Sequence, residues 1–119
     1  MPFGLFKKKT QPASPGPDFS HIDSNEKAEQ EHAAGNLVKL YLMPLEFGGA
    51  DNPMNVLYVP EFTTGLKARF DTMIEAMLED GKSLGYSASP EYKGSSFIPS
   101  AIVITVTGDA SIEETIQIW

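Results

Sequence analysis

The chain has no cysteine. Disulfides, thiolate nucleophiles and cysteine-ligated zinc are therefore excluded, and the composition is compatible with a reducing compartment. Long apolar runs are missing too: none approaches the roughly 18 residues of a membrane-spanning helix. Basic residues are few, nine against sixteen acidic, giving a net charge of −7 and a pI near 4.7. Phosphate binding needs a basic surface, so a nucleic-acid partner is not expected. Histidine is limited to His21 and His32. Neither neighbours a plausible nucleophile or forms a helical His-x₃-His pair, so histidine catalysis is not expected. Lys7, Lys8 and Lys9 follow Phe3, Leu5 and Phe6, the reverse order of a secretory signal, and Pro2 bars N-myristoylation. These absences predict a cytoplasmic protein without stable membrane insertion.

What is present is an amphipathic helix between two sets of strands. Leu66, Phe70, Met73, Ile74, Met77 and Leu78 recur at the spacing of one helical face. Thr63 or Thr64 is a suitable cap, and Gly81 suits the left-handed C-terminal position after Asp80. Alternating runs flank the helix: Leu37–Phe47 and Asn55–Val59 before it, then Leu84–Tyr92, Ala101–Thr107 and Thr115–Trp119 after it. The expected fold is α+β, order ββαβββ, with a four- to five-stranded mixed or mainly antiparallel sheet and one main helix on one face. Val38, Leu40, Leu42, Ile102, Ile104, Val106, Ile116 and Ile118 are expected to meet the helix.

A length of 119 residues gives one ordinary domain. Gln11–Asp18 is rich in proline, serine and glycine, a composition that buries too little apolar surface to offset ordering. Residues 1–35 are expected to form a flexible tail with a short helix over 24–34, and residues 36–119 the domain. Within the tail, His32 or Ala33 is the expected point of contact with the domain.

The sheet face away from the helix is expected to carry Tyr41, Met43, Val103, Thr105, Gln117 and Trp119. Tyr, Trp and Met favour partner-binding surfaces, so Tyr41, Met43, Val103 and Trp119 are candidate contact residues, or the seam of a homodimer. Lys67, Asp71, Glu75 and Glu79 follow one another at i+4. They predict an outward stripe whose Asp71, Glu75 and Glu79 would face a basic partner, against the plainer reading of a solvated face with a Lys–Asp pair. A second candidate site lies where the 48–55 and 92–97 loops approach the sheet, with Glu46, Tyr58, Glu91, Tyr92 and Lys93 as candidate ligand-binding residues. Residues 91–96 also resemble an anion nest, but without a following helix start or Walker spacing they read as a polar turn. Asp51, Asn52, Asp109, Glu113 and Glu114 lack the EF-hand pattern and read as loop caps. No cofactor or metal motif is found, and no catalytic residue is nominated.

The segments Pro44-Leu45-Glu46-Phe47-Gly48-Gly49, Asn55-Val56-Leu57-Tyr58-Val59-Pro60, Pro90-Glu91-Tyr92-Lys93-Gly94-Ser95-Ser96-Phe97-Ile98-Pro99 and Ile116-Gln117-Ile118-Trp119 resemble a family of uncharacterised bacterial proteins across residues 36–119. Small acidic chains of this kind also resemble toxin-neutralising immunity proteins. Three functional expectations result. The first is a non-enzymatic interaction module for another, basic protein. The second is a small enzyme or ligand-binding domain using the two loops, and the third a structural homodimer.

Overall fold

The computed structural model describes residues 17–119. Its elements are α1 (Asn25–Ala33), β1 (Val38–Tyr41), β2 (Val56–Val59), α2 (Glu61–Glu79), β3 (Leu84–Tyr92), β4 (Pro99–Gly108) and β5 (Ile112–Gln117), with single 3-10 turns at Leu45–Phe47 and Pro53–Asn55. The fold is α+β, and every strand pairing among these residues is antiparallel.

The single sheet expected from the alternation is two sheets, β1-β2 and β3-β4-β5. β1 ends at Tyr41, although its apolar alternation continues. The Leu42 N–H still donates to the Asn55 carbonyl at 3.0 Å, and from Met43 onward a side chain replaces the ladder. Asn55 Oδ1 accepts from the Met43 N–H at 2.7 Å, and Asn55 Nδ2 donates to the carbonyls of Met43 at 3.0 Å and Ala50 at 2.9 Å. Pro44 then turns the chain into the 3-10 helix. β3 carries Pro90, which lacks a backbone donor and is tolerated at a sheet edge, where β3 lies. Gly49 packs so tightly on this turn that a Cβ there would collide with the Met43 carbonyl.

One core serves both sheets. Leu40, Leu57 and Val59 from the first meet Ile102, Ile104, Val106, Ile116 and Ile118 from the second, with Phe70 and Ile74 of α2 between them. Val38, Leu42 and Met77 pack at its margin. α2 starts at Glu61, with Pro60 at its N-cap in extended conformation. Neither threonine caps it: Thr63 is fully buried, and the Thr64 hydroxyl donates to the Glu61 carbonyl at 2.7 Å. The helix ends as expected, with Gly81 at φ 91° and the Lys82 N–H donating to the Met77 carbonyl at 3.1 Å.

The helix is rotated from its expected orientation. Its buried residues are Thr63, Lys67, Phe70 and Ile74. Leu66, Met73 and Leu78 are 39%, 43% and 38% exposed. Only Phe70, Ile74 and, partly, Met77 of the six apolar residues reach the core. The reason is a polar network under the helix, described below, which takes space on the sheet-facing side.

Residues 19–33 pack against the rest of the described chain. The short helix forms at Asn25–Ala33, capped by Ser24, whose Oγ accepts from the Lys27 N–H at 3.1 Å. Ile22, Ala28, Leu37 and Ile98 make a second buried cluster, flanked by Phe19, Tyr58 and Trp119. The Phe97 N–H donates to the Ile22 carbonyl, and Ser96 Oγ donates to the Phe19 carbonyl, both at 2.7 Å. His32 stacks on Tyr58 at 5.0 Å between centroids, while Ala33 is exposed. The rest of the expected tail, residues 1–16, lies outside the described residues. Among those described, no helix is long and apolar enough to cross a membrane.

Candidate functional site

Lys67 sits one turn before Asp71 on α2, so both side chains project from the same flank. That flank faces β3, where Tyr86 points in from the sheet. Lys67 Nζ donates to Asp71 Oδ2 at 2.7 Å and to the Tyr86 hydroxyl at 3.0 Å. Tyr86 in turn donates to Asp71 Oδ1 at 2.5 Å. The Lys67 side chain is only 2% exposed and that of Asp71 15%. The expected outward stripe is thus corrected at two positions: Lys67 is buried and Asp71 half-turned inward, while Glu75 and Glu79 are exposed. A buried lysine is stable there because a carboxylate and a phenol meet it at once. Burial, and then the bond to Asp71, hold the Tyr86 phenol well above the ordinary tyrosine range. Tyr86 therefore keeps its proton at neutral pH and serves as a donor, not as a base.

This network lies at the edge of an open groove of about 360 Å³ lined by Lys39, Tyr41, Glu46, Phe47, Thr64, Asp71, Thr72 and Glu75, among others. Phe47 packs edge-on against Tyr86 at 5.4 Å, fixing the 3-10 turn against β3. The two lysines of the groove are each matched, Lys67 by Asp71 and Lys39 by Asp51 at 2.9 Å. Glu46 and Glu75 have no ion-pair partner among the described residues. The groove therefore carries surplus negative charge.

A second groove, of about 340 Å³, opens on the α1 side. The 48–55 and 92–97 loops do approach each other there. Pro53 and Met54 come from one and Tyr92 and Phe97 from the other, with Leu42, Tyr58 and Pro90 between them. Met54 is 89% exposed, Phe97 50% and Tyr92 47%. Burial raises the Tyr92 phenol above its ordinary range. Of the five residues expected at this site, Tyr58 and Tyr92 line it. Glu46 belongs to the other groove, while Glu91 and Lys93 line neither.

The aromatic sheet face expected for partner binding does not form. Tyr41 and Met43 belong with the two-stranded sheet, so they share no face with Val103. The exposed face of the other sheet presents Ser87, Ser89, Val103, Thr105, Glu113, Thr115 and Gln117, a largely polar surface without an aromatic side chain. Trp119 turns away into the second core cluster. Its Nε1 donates to the Ile98 carbonyl at 3.1 Å, with Phe19 edge-on at 5.9 Å and the Lys93 ammonium 4.9 Å from its ring. Lys93 and Ser96 are thus engaged within the chain. Of the expected loop caps, Asn52 Oδ1 accepts from the Met54 N–H and Asp109 Oδ2 from the Ser83 N–H, while Glu113 and Glu114 lie on β5. Sequence periodicity missed Lys67 as a buried group because a lysine beside an apolar stripe reads as solvated. The only usable signal was its i+4 spacing from Asp71.

No protein-family model matches the chain, and no curated protein matches it.

Proposed function

We propose that the chain is a non-enzymatic interaction module that binds a basic protein, with toxin neutralisation of the immunity type as its sharpest form. The supporting observation is the surplus charge of the larger groove. Glu46 and Glu75 have no ion-pair partner among the described residues and stand beside Tyr41 and Phe47, next to the Lys67–Asp71 pair. An arginine or lysine of the partner fits this setting: carboxylates take its charge and an aromatic wall its aliphatic stem. Asp71 serves as a positioning group through Lys67 and Tyr86, and Glu79 extends the negative field along α2. The overall charge of −7 favours encounter with a cationic surface and makes its rate fall with salt.

The test is titration of the isotope-labelled chain with the peptide Gly-Arg-Gly-amide, followed by NMR. Amide shifts at Thr64, Thr72 and Glu75 that vanish in Glu46→Gln/Glu75→Gln and weaken in 0.5 M salt, where the Debye length is well below the about 10 Å of 0.1 M salt, support the reading. Shifts unaffected by the double substitution overturn it.

A second reading, ligand binding by the 48–55 and 92–97 loops, is favoured by the groove in which Tyr58 and Tyr92 meet. Its lining is aromatic and apolar apart from the Asn25 amide and the tyrosine hydroxyls, and among the described residues it includes no carboxylate or histidine. That composition suits docking of an apolar chain better than acid–base chemistry.

A further inference from the structure

The second groove has a composition that selects one kind of occupant. Tyr58, Tyr92 and Phe97 supply flat rings, Pro53 and Pro90 rigid rims, and Met54 an adaptable thioether. Extended proline-rich segments dock in aromatic-lined grooves of this kind, because their backbone is already ordered and proline has no N–H to desolvate. The carbonyls of such a segment need only a few donors, and the Tyr58 and Tyr92 hydroxyls and the Asn25 amide lie on the lining.

The chain itself carries such a segment, Pro12-Ala13-Ser14-Pro15-Gly16-Pro17. Its attachment point is beside the groove. Just after Pro17, the Phe19 carbonyl accepts from Ser96 and the Ile22 carbonyl from Phe97, each at 2.7 Å. Phe97 is a wall of the groove, and α1, which follows Ile22, contributes Asn25 and Ala28 to its lining. In polyproline II conformation, residues 12–17 span roughly 19 Å. The segment therefore starts within its own length of the groove. Tethering over so few residues gives an effective concentration on the order of millimolar, enough to populate contacts too weak to form between separate molecules.

We propose that residues 12–17 dock in the aromatic groove between Met54, Tyr58, Tyr92 and Phe97, making the groove a binding site for proline-rich extended backbone that the chain fills in cis. This site is separate from the acidic groove and does not depend on the function proposed for it.

Two measurements on the full chain test the assignment. With proline-selective labelling, NOEs are expected from Pro12 or Pro15 to the Tyr92 ring or the Met54 methyl, unchanged on dilution. Their absence, or their appearance only between differently labelled molecules, overturns docking in cis. Independently, dilute peroxide oxidises exposed methionine. The Met54 sulfoxide is expected to form about threefold faster in Pro12→Gly/Pro15→Gly than in the unaltered chain, with Met73 on α2 as the unaffected internal reference. An unchanged urea midpoint and far-UV circular dichroism spectrum establish that the variant keeps the fold. Equal Met54 rates in the two proteins overturn the proposal.

Discussion

The phenol of Tyr86, on β3, donates its proton to Asp71, on α2, at 2.5 Å, and the same oxygen accepts from Lys67 at 3.0 Å. This bond pins the helix to the sheet edge where the ladder itself gives no connection. Its removal has a graded outcome. Asp71→Ala strands a lysine that is 2% exposed and is expected to cost about 3–5 kcal/mol, because an uncompensated buried charge remains. Tyr86→Phe leaves the ion pair but removes one donor to it, at about 1–3 kcal/mol. Lys67→Met removes the charge and fills its space, and Asp71 keeps the Tyr86 bond, so this change is the mildest of the three. Urea unfolding of the three variants checks the order.

The same phenol makes stability sensitive to alkali. Burial, and then the Asp71 bond, raise the folded-state pKa of Tyr86 above the ordinary value of 10.0. In the unfolded chain Tyr86 loses its proton at that ordinary value, while in the folded chain it keeps it. The unfolded state thus binds fewer protons above pH 10, and stability falls there as pH rises; below it the contribution is complete. Tyr92 shifts in the same direction through burial. The Tm is expected to decline from about pH 10 upward, with a shallower slope in Tyr86→Phe and no slope difference between the two proteins from pH 7 to 9. Thermal melts across that range check it.

Ile22 is 2% exposed and Ile98 fully buried, one on either side of the seam between the N-terminal segment and the domain. If the segment were a loose appendage, Ile22→Ala would be silent. Its burial predicts a loss of about 2–5 kcal/mol, together with faster amide exchange at Phe97, whose N–H is bonded to the Ile22 carbonyl. Denaturant unfolding and hydrogen exchange measure both effects.

Asn55 closes the loop after β1 with three hydrogen bonds from one side chain. Asn55→Ala leaves the Met43 N–H and carbonyl without partners in a part-buried setting and is expected to cost about 1–3 kcal/mol. Gly49→Ala is expected to be at least as severe, because the added methyl meets the Met43 carbonyl and that backbone has no room to yield. Asn55→Asp separates the two faces of the amide: it keeps the acceptor for the Met43 N–H and loses both donors. Because the new carboxylate oxygen faces the carbonyls of Met43 and Ala50, urea midpoints should rank it at or below Asn55→Ala.

The elements themselves were legible from periodicity. The 2-residue alternation of Ile102, Ile104 and Val106 and the glycine stop at Gly81 both appear as read, and these strand residues are fully buried. What escaped was set by side chains acting as backbone or as core. Asn55 replaces a strand partner beyond Tyr41, so the alternation up to Phe47 overstates β1. Trp119 reads as the end of an exposed strand but turns inward because the Ile98 carbonyl and Phe19 receive it. Ser96, polar in a turn, is buried because Phe19 supplies its acceptor. In each case the deciding partner is distant in sequence, where pattern has no reach. The candidate grooves were half legible for the same reason: residues of the 48–55 and 92–97 loops line one groove together with Tyr58, whereas Glu46 lines the other with residues of α2.

The rotation of α2 yields a final contrast between two neighbours on adjacent flanks. Phe70 lies in the core at 9% exposure, whereas Leu66, one turn earlier, is 39% exposed, with Phe62 at 47% and Met73 at 43% beside it. Read as one apolar face, these positions would respond alike to truncation. In the observed orientation Phe70→Ala opens a cavity among Ile74, Ile102 and the strand residues and is expected to cost about 3–5 kcal/mol. Leu66→Gln and Met73→Gln exchange a partly hydrated apolar side chain for a good helix former and should stay within about 0.5 kcal/mol. Chemical denaturation of the three single variants decides the matter. A loss at Leu66→Gln as large as that at Phe70→Ala would mean that the strip beginning at Phe62 is covered in solution, and the helix azimuth described above would have to be abandoned.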